Sequence, residues 1–177
     1  LEMTNDGQNV NDIFTEDAIP AAFGGFDVYW DFLVDLFSLR SQGVIKDYET
    51  FAYDWRYSVF EVATQPVQYP DNEKRALLDQ VLELSEESFT NKVTIIGHSN
   101  GGLVAKALLE EYGDTKLAGK LDKLVLIGTP QLGTPKAIHS MMHGSILGGF
   151  ADDLFLNNQL VRDVIKNLPG TYTLLPS

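Results

Sequence analysis

Apolar and polar positions change their spacing along this chain, and the changes mark its elements. Over residues 28–41, Tyr29, Phe32, Leu33, Leu36 and Phe37 recur at helical spacing. Asp27 stands where an N-cap is needed and Gly43 follows, so the pattern predicts a helix. Residues 48–53 read as a short aromatic strand. After a loop carrying Pro66 and Pro70, residues 72–89 predict a second helix. It turns Leu77, Leu78, Val81, Leu82 and Leu84 inward and Glu83, Glu86 and Glu87 outward. The apolar run Val93-Thr94-Ile95-Ile96 is long enough for a strand and too short for a helix.

That run leads through Gly97-His98-Ser99-Asn100-Gly101-Gly102 into a helix predicted over residues 101–112. Val104, Ala107 and Leu108 share one side of it, Lys106, Glu110 and Glu111 the other, and Gly113 fits a C-cap. Residues 124–127 form another uninterrupted apolar strand. Such runs suit strands buried on both faces of a parallel sheet. Alternation of helix and strand is the α/β pattern. Beyond that point the pattern loosens. Residues 131–153, rich in Gly, His, Met and Pro, read as a loop or lid region. A helix over 154–166 and a short strand over 172–175 close the chain, and residues 1–25 read as an irregular N-terminal segment.

Composition narrows the classes of partner. The 177 residues suit one domain around one core. Thirteen Lys and Arg against 25 Asp and Glu give a net charge of −12. That balance argues against nucleic acid, whose phosphates need clustered cations, and against electrostatic attachment to anionic lipid. A neutral lipid interface stays open through apolar contact. The chain has no cysteine, which excludes disulfides and thiolate metal sites and leaves the compartment open. No uncharged apolar run reaches the roughly 18 residues of a membrane span. The opening residues 1–12 are polar and do not read as a signal peptide.

Gly97-His98-Ser99-Asn100-Gly101 is a G-x-S-x-G match with a buried strand before it and an amphipathic helix after it. A sharp strand-to-helix turn strains the serine and stands its hydroxyl clear of the sheet edge. Glycines two residues to either side are expected to leave room for the neighbouring strand and helix. The first amides of the helix face the same way, so developing negative charge meets the positive end of the helix dipole. Ser99 is thus the candidate nucleophile, and the backbone amide of Asn100 the expected first oxyanion donor. The competing reading is a glycine-rich turn with no chemistry.

A serine needs a base. His98 is expected to point away from Ser99 and pack under the turn. His139 and His143 stand four residues apart, a spacing open to a metal pair. Ser140, however, stands where a zinc-protease helix would carry Glu, and no third ligand is evident. No metal is assigned, and the serine mechanism needs no cofactor. No histidine follows His143, whereas the elbow topology runs serine, acid, histidine. The triad acid and histidine are therefore not found in this sequence. Tyr53, Asp54 and His98 are candidates to line the site. Tyr53 and Trp55 have an acyl-pocket reading and a core reading. Asp54 and Arg56 either order the loop beside the site or form a structural ion pair. Residues 145–150, followed by Asp152 and Asp153, read as a hinged lid or as a plain surface loop.

Three stretches of residues 26–177 resemble the lecithin:cholesterol acyltransferase family of α/β hydrolases. They are Tyr53-Asp54-Trp55-Arg56, the Gly97–Gly102 elbow, and the run from Gly128-Thr129-Pro130 through Gly133-Thr134-Pro135-Lys136-Ala137. The closing Leu168-Pro169 and Leu174-Leu175-Pro176 resemble the end of the family's middle region. The resemblance implies an α/β-hydrolase-type, mostly parallel sheet flanked by helices, of which residues 26–177 are the central part and the chain an incomplete copy. It implies acyl transfer by Ser99 from an ester or lipid substrate to water or an alcohol, with transient contact at a lipid interface. The family's acid and histidine lie downstream of the matched region. Its oxyanion loop lies upstream of the helix before Tyr53, where Ala22-Phe23-Gly24-Gly25 is the one glycine-containing candidate. The alternative is a catalytically inactive hydrolase-fold binding or scaffold domain.

Overall fold

The computed structural model describes residues 3–6, 29–69, 73–144 and 158–176. In chain order its helices are α1 (Trp30–Ser41), α2 (Val59–Thr64), α3 (Leu77–Glu87), α4 (Asn100–Tyr112), α5 (Pro135–His143), α6 (Asn158–Ile165) and α7 (Pro169–Tyr172). Its strands are β1 (Val67–Gln68), β2 (Lys74–Arg75), β3 (Val93–His98) and β4 (Leu121–Ile127). The predicted cap Asp27, the oxyanion candidate at 22–25 and the lid candidate at 145–150 lie outside the described residues.

The centre is a parallel pair. β3 and β4 run side by side from Val93 opposite Leu121 to His98 opposite Ile127, with an irregularity after Val93. Their connection is α4, which packs back onto β3, as a parallel crossover requires. The core lies on that side. Val104, Ala107 and Leu108 of α4 meet Val62 and Ala63 of α2, Leu78 and Val81 of α3, and Leu117. Val93 and Ile95 close the layer from the sheet. The opposite sheet face is open among the described residues: Ile96, Val125 and Ile127 are 42%, 38% and 49% exposed. The strands therefore alternate rather than being buried on both faces as their unbroken apolar runs predict.

Local chemistry explains the ends of these elements. α2 lies in a stretch expected to be loop. Ser58 caps it by accepting from the Glu61 amide while Glu61 accepts from the Ser58 amide, a complete capping box. α3 starts later than predicted, because Lys74–Arg75 pairs antiparallel with Val67–Gln68 instead of joining the helix. α5 occupies residues expected to be irregular. Thr134 caps it, Pro135 fills its first turn and Gly144, at φ 70°, ends it in the left-handed region. Gly113 does cap α4, but with right-handed φ of −58°.

Two strand expectations fail. Residues 48–53 form no strand, because the carbonyls of Thr50 and Ala52 accept from the Gln80 and Tyr69 side chains (3.1 and 2.9 Å) rather than from a neighbouring strand. Residues 172–175 form no strand either: α7, started by Pro169, runs through Tyr172, and the Leu174 and Leu175 amides donate back to the Thr171 and Tyr172 carbonyls. The aromatic face of α1 is not buried: no residue of that helix is, and Phe37 is 61% exposed.

Candidate active site

The turn between β3 and α4 places Ser99 at φ 53°, ψ −125°, backbone that residues with a Cβ rarely adopt. The turn is pinned from both ends. The Ser99 amide donates to the Ile127 carbonyl at the end of β4 (2.8 Å), and the Ser99 carbonyl accepts from the Gly102 amide (3.1 Å). Ser99 is exposed. As N-cap it contributes no side-chain bond to its helix, so its hydroxyl is not spent on capping.

Close packing explains two glycines, though not the two that symmetry about the serine picks out. A Cβ on Gly97 would stand 2.6 Å from the Gly102 Cα, and one on Gly102 would overlap the Thr129 side chain. A Cβ on Gly101 would meet only the Tyr53 hydroxyl, at 3.7 Å. Room for strand against helix therefore comes from Gly97 and Gly102. Thr129, just past β4, is part of the same wall, and its Oγ1 is buried without a hydrogen-bond partner among the described residues.

Both neighbours of Ser99 reach a tyrosine. His98 is exposed rather than packed under the turn, because its Nδ1 lies 2.7 Å from the Tyr29 hydroxyl and the rings meet edge to face. Asn100 heads α4, and its Nδ2 donates to the Tyr53 hydroxyl at 3.4 Å. Burial is the main cause of the upward shift of the Tyr53 hydroxyl from its usual range, and the Asn100 bond works against it. Tyr29 had no local signal, since its partner is 69 residues away.

Asp54 is engaged by Arg56. Its carboxylate receives Arg56 Nε at 2.9 Å and the Arg56 amide at 3.0 Å, and it also holds Nη2. Arg56 is 1% exposed, and its bond to Asp54 is the main reason its pKa is raised. The pair ties residues 54 and 56 together locally. Trp55 is 52% exposed, so it belongs to neither the core nor an enclosed pocket. The motif stretches interlock elsewhere too. The Gly170 amide donates to the Arg56 carbonyl (2.7 Å), and the Thr134 amide to the Leu174 carbonyl (2.8 Å). The closing segment thus straps both the Tyr53–Arg56 turn and the loop after β4.

His139 and His143 stand one turn apart on α5 with ring centroids 4.8 Å apart. Among the described residues no group of three His, Cys, Asp or Glu could hold a metal. A groove of about 580 Å³ lined in part by Ser58, Lys166 and Tyr172 includes none of Tyr29, Tyr53, His98, Ser99 and Asn100. The strained serine, not this groove, is the better marker of chemistry, since the groove brings no strained or perturbed group together.

A parallel strand pair, a crossover helix and an exposed serine in the bend between them define an α/β protein organised around a serine turn. The family model described as lecithin:cholesterol acyltransferase matches residues 25–177. The chain belongs to that family, one of enzymes acting on lipid substrates as acyltransferases and phospholipases. Comparison with curated proteins and with solved structures gave no match. No helix among the described residues is long and apolar enough to cross a membrane.

Proposed function

We propose that Ser99 is the nucleophile of an acyl-transfer reaction on lipid esters, within an α/β-hydrolase fold of which residues 26–177 form the central part. The observation that carries this reading is the φ of 53° at an exposed serine between a parallel strand and its crossover helix. Strain of that kind costs about 1–3 kcal/mol and persists at sites that use it. The family assignment supplies the substrate class.

In this reading the Ser99 Oγ attacks the ester carbonyl while a base takes the hydroxyl proton. The carbonyl oxygen becomes an oxyanion and is met by the Asn100 amide at the positive end of α4. Collapse breaks the ester C–O bond, the alcohol leaves with a proton, and the acyl group stays on Ser99. Water or an acceptor alcohol then takes it, giving hydrolysis or transfer. Apolar side chains exposed on the strands leading to the turn, such as Ile96 and Ile127, suit transient contact with a lipid surface.

A fluorophosphonate probe tests the assignment on the intact natural protein. Wild type is expected to be labelled and Ser99→Ala, at unchanged melting temperature, is not. Equal labelling of both, or none of wild type, rejects Ser99 as nucleophile.

A further inference from the structure

A residue in rare backbone geometry stays there only where its surroundings over-determine it. Two backbone bonds hold Ser99, and the residues flanking it add two more contacts. Tyr29 Oη lies 2.7 Å from His98 Nδ1, with ring centroids 5.6 Å apart at 74°. Tyr53 Oη lies 3.4 Å from Asn100 Nδ2 and stands over the next turn residue, Gly101. Oδ1 of Asn100 is buried with no partner among the described residues, which leaves Tyr53 as the tether of that amide. The two tyrosines come from different places: Tyr29 immediately precedes α1, and Tyr53 opens the turn fixed by Asp54 and Arg56.

We propose that Tyr29 and Tyr53 are positioning residues that clamp the two neighbours of Ser99 and so hold its hydroxyl and the Asn100 amide in one reactive arrangement. The inference rests on the reading of Ser99 as nucleophile. Neither tyrosine needs to touch the reacting atoms. Each acts through its partner, so the clamp affects the rate of the covalent step rather than the affinity for the acyl donor. A tyrosine hydroxyl is protonated at neutral pH and burial shifts Tyr53 further that way, so the tether is a neutral hydrogen bond.

The test uses fluorophosphonate kinetics on the intact natural protein, separating the maximal labelling rate from the half-saturating probe concentration. Tyr53→Phe and Tyr29→Phe keep each ring and remove each hydroxyl. Each is expected to slow the maximal rate about three- to tenfold, the range for losing one neutral hydrogen bond, with half-saturation and melting temperature unchanged. Asn100→Leu is expected to slow labelling similarly, and to slow Tyr53→Phe no further, because both changes remove one interaction. Should Tyr53→Phe melt early, that pair measured well below both melting points still decides, and fully additive losses overturn the clamp. Wild-type rates in both phenylalanine variants also overturn it while leaving Ser99 as nucleophile. Absence of labelling in wild type removes both readings together.

Discussion

Gly97 and Gly102 stand back to back across the serine turn, so close that a Cβ on the first would lie 2.6 Å from the Cα of the second. That contact lets β3 run directly under the first turn of α4. Gly97→Ala must push strand and helix apart, and is expected to cost about 3 kcal/mol, the upper end for overpacking a rigid site. Gly101→Ala has open space before the Tyr53 hydroxyl at 3.7 Å and lies within a helix. It is expected to be neutral or to stabilise by up to about 1 kcal/mol. Urea denaturation of both variants checks the contrast, and equal damage from both would contradict the packing described.

The strain at Ser99 makes a prediction in the opposite direction from function. Glycine accepts φ 53° freely and alanine does not. Ser99→Gly is expected to be more stable than Ser99→Ala by about 1–2 kcal/mol, with both inactive. Paired denaturation curves measure it, and an alanine variant at least as stable as the glycine one would show that the turn is relaxed.

Asp54 neutralises a guanidinium that is 1% exposed. Removing the carboxylate takes away a bidentate partner of that buried charge, so Asp54→Ala is expected to destabilise the fold, by up to about 3–5 kcal/mol. Replacing both partners by apolar residues of similar volume should recover much of the loss, because the buried charge is then removed together with its carboxylate. Thermal melts of the single and double variants separate this from a direct role at Ser99.

Leu108 is the apolar anchor of α4, fully buried among α2, α3 and Leu117. Leu108→Ala is expected to cost about 2–5 kcal/mol through lost transfer energy and the remaining cavity. Phe37→Ala on the exposed α1 should change stability by less than about 0.5 kcal/mol. A reversed order in chemical denaturation would relocate the core.

What could be read from sequence was what short-range spacing controls. The apolar run at β3, the amphipathic α3 and α4 and the serine turn between them follow from period and length alone, and the charged faces of α3 and α4 point outward as expected. Two further helices carry local signals in the sequence. Ser58 and Glu61 spell a capping box before α2, and Thr134, Pro135 and Gly144 bracket α5. Residues 48–53 depend on long-range pairing. Their aromatic pattern suits a strand, but whether a partner strand lies alongside is a long-range fact, and here side chains of Gln80 and Tyr69 take the carbonyls instead. The Tyr29–His98 contact is invisible for the same reason. So is the choice of Gly102 over Gly101 as the tight position, which depends on Thr129 arriving from the end of β4.

The most direct measurement is the mass of the covalent intermediate. Intact natural protein is mixed with a p-nitrophenyl ester, quenched in acid within the burst, digested and read by tandem mass spectrometry. The account predicts an acyl adduct on the Ser99 side chain that disappears on adding water time or an alcohol acceptor. Product release with no adduct at Ser99, or an adduct on another residue that persists in Ser99→Ala, would contradict it.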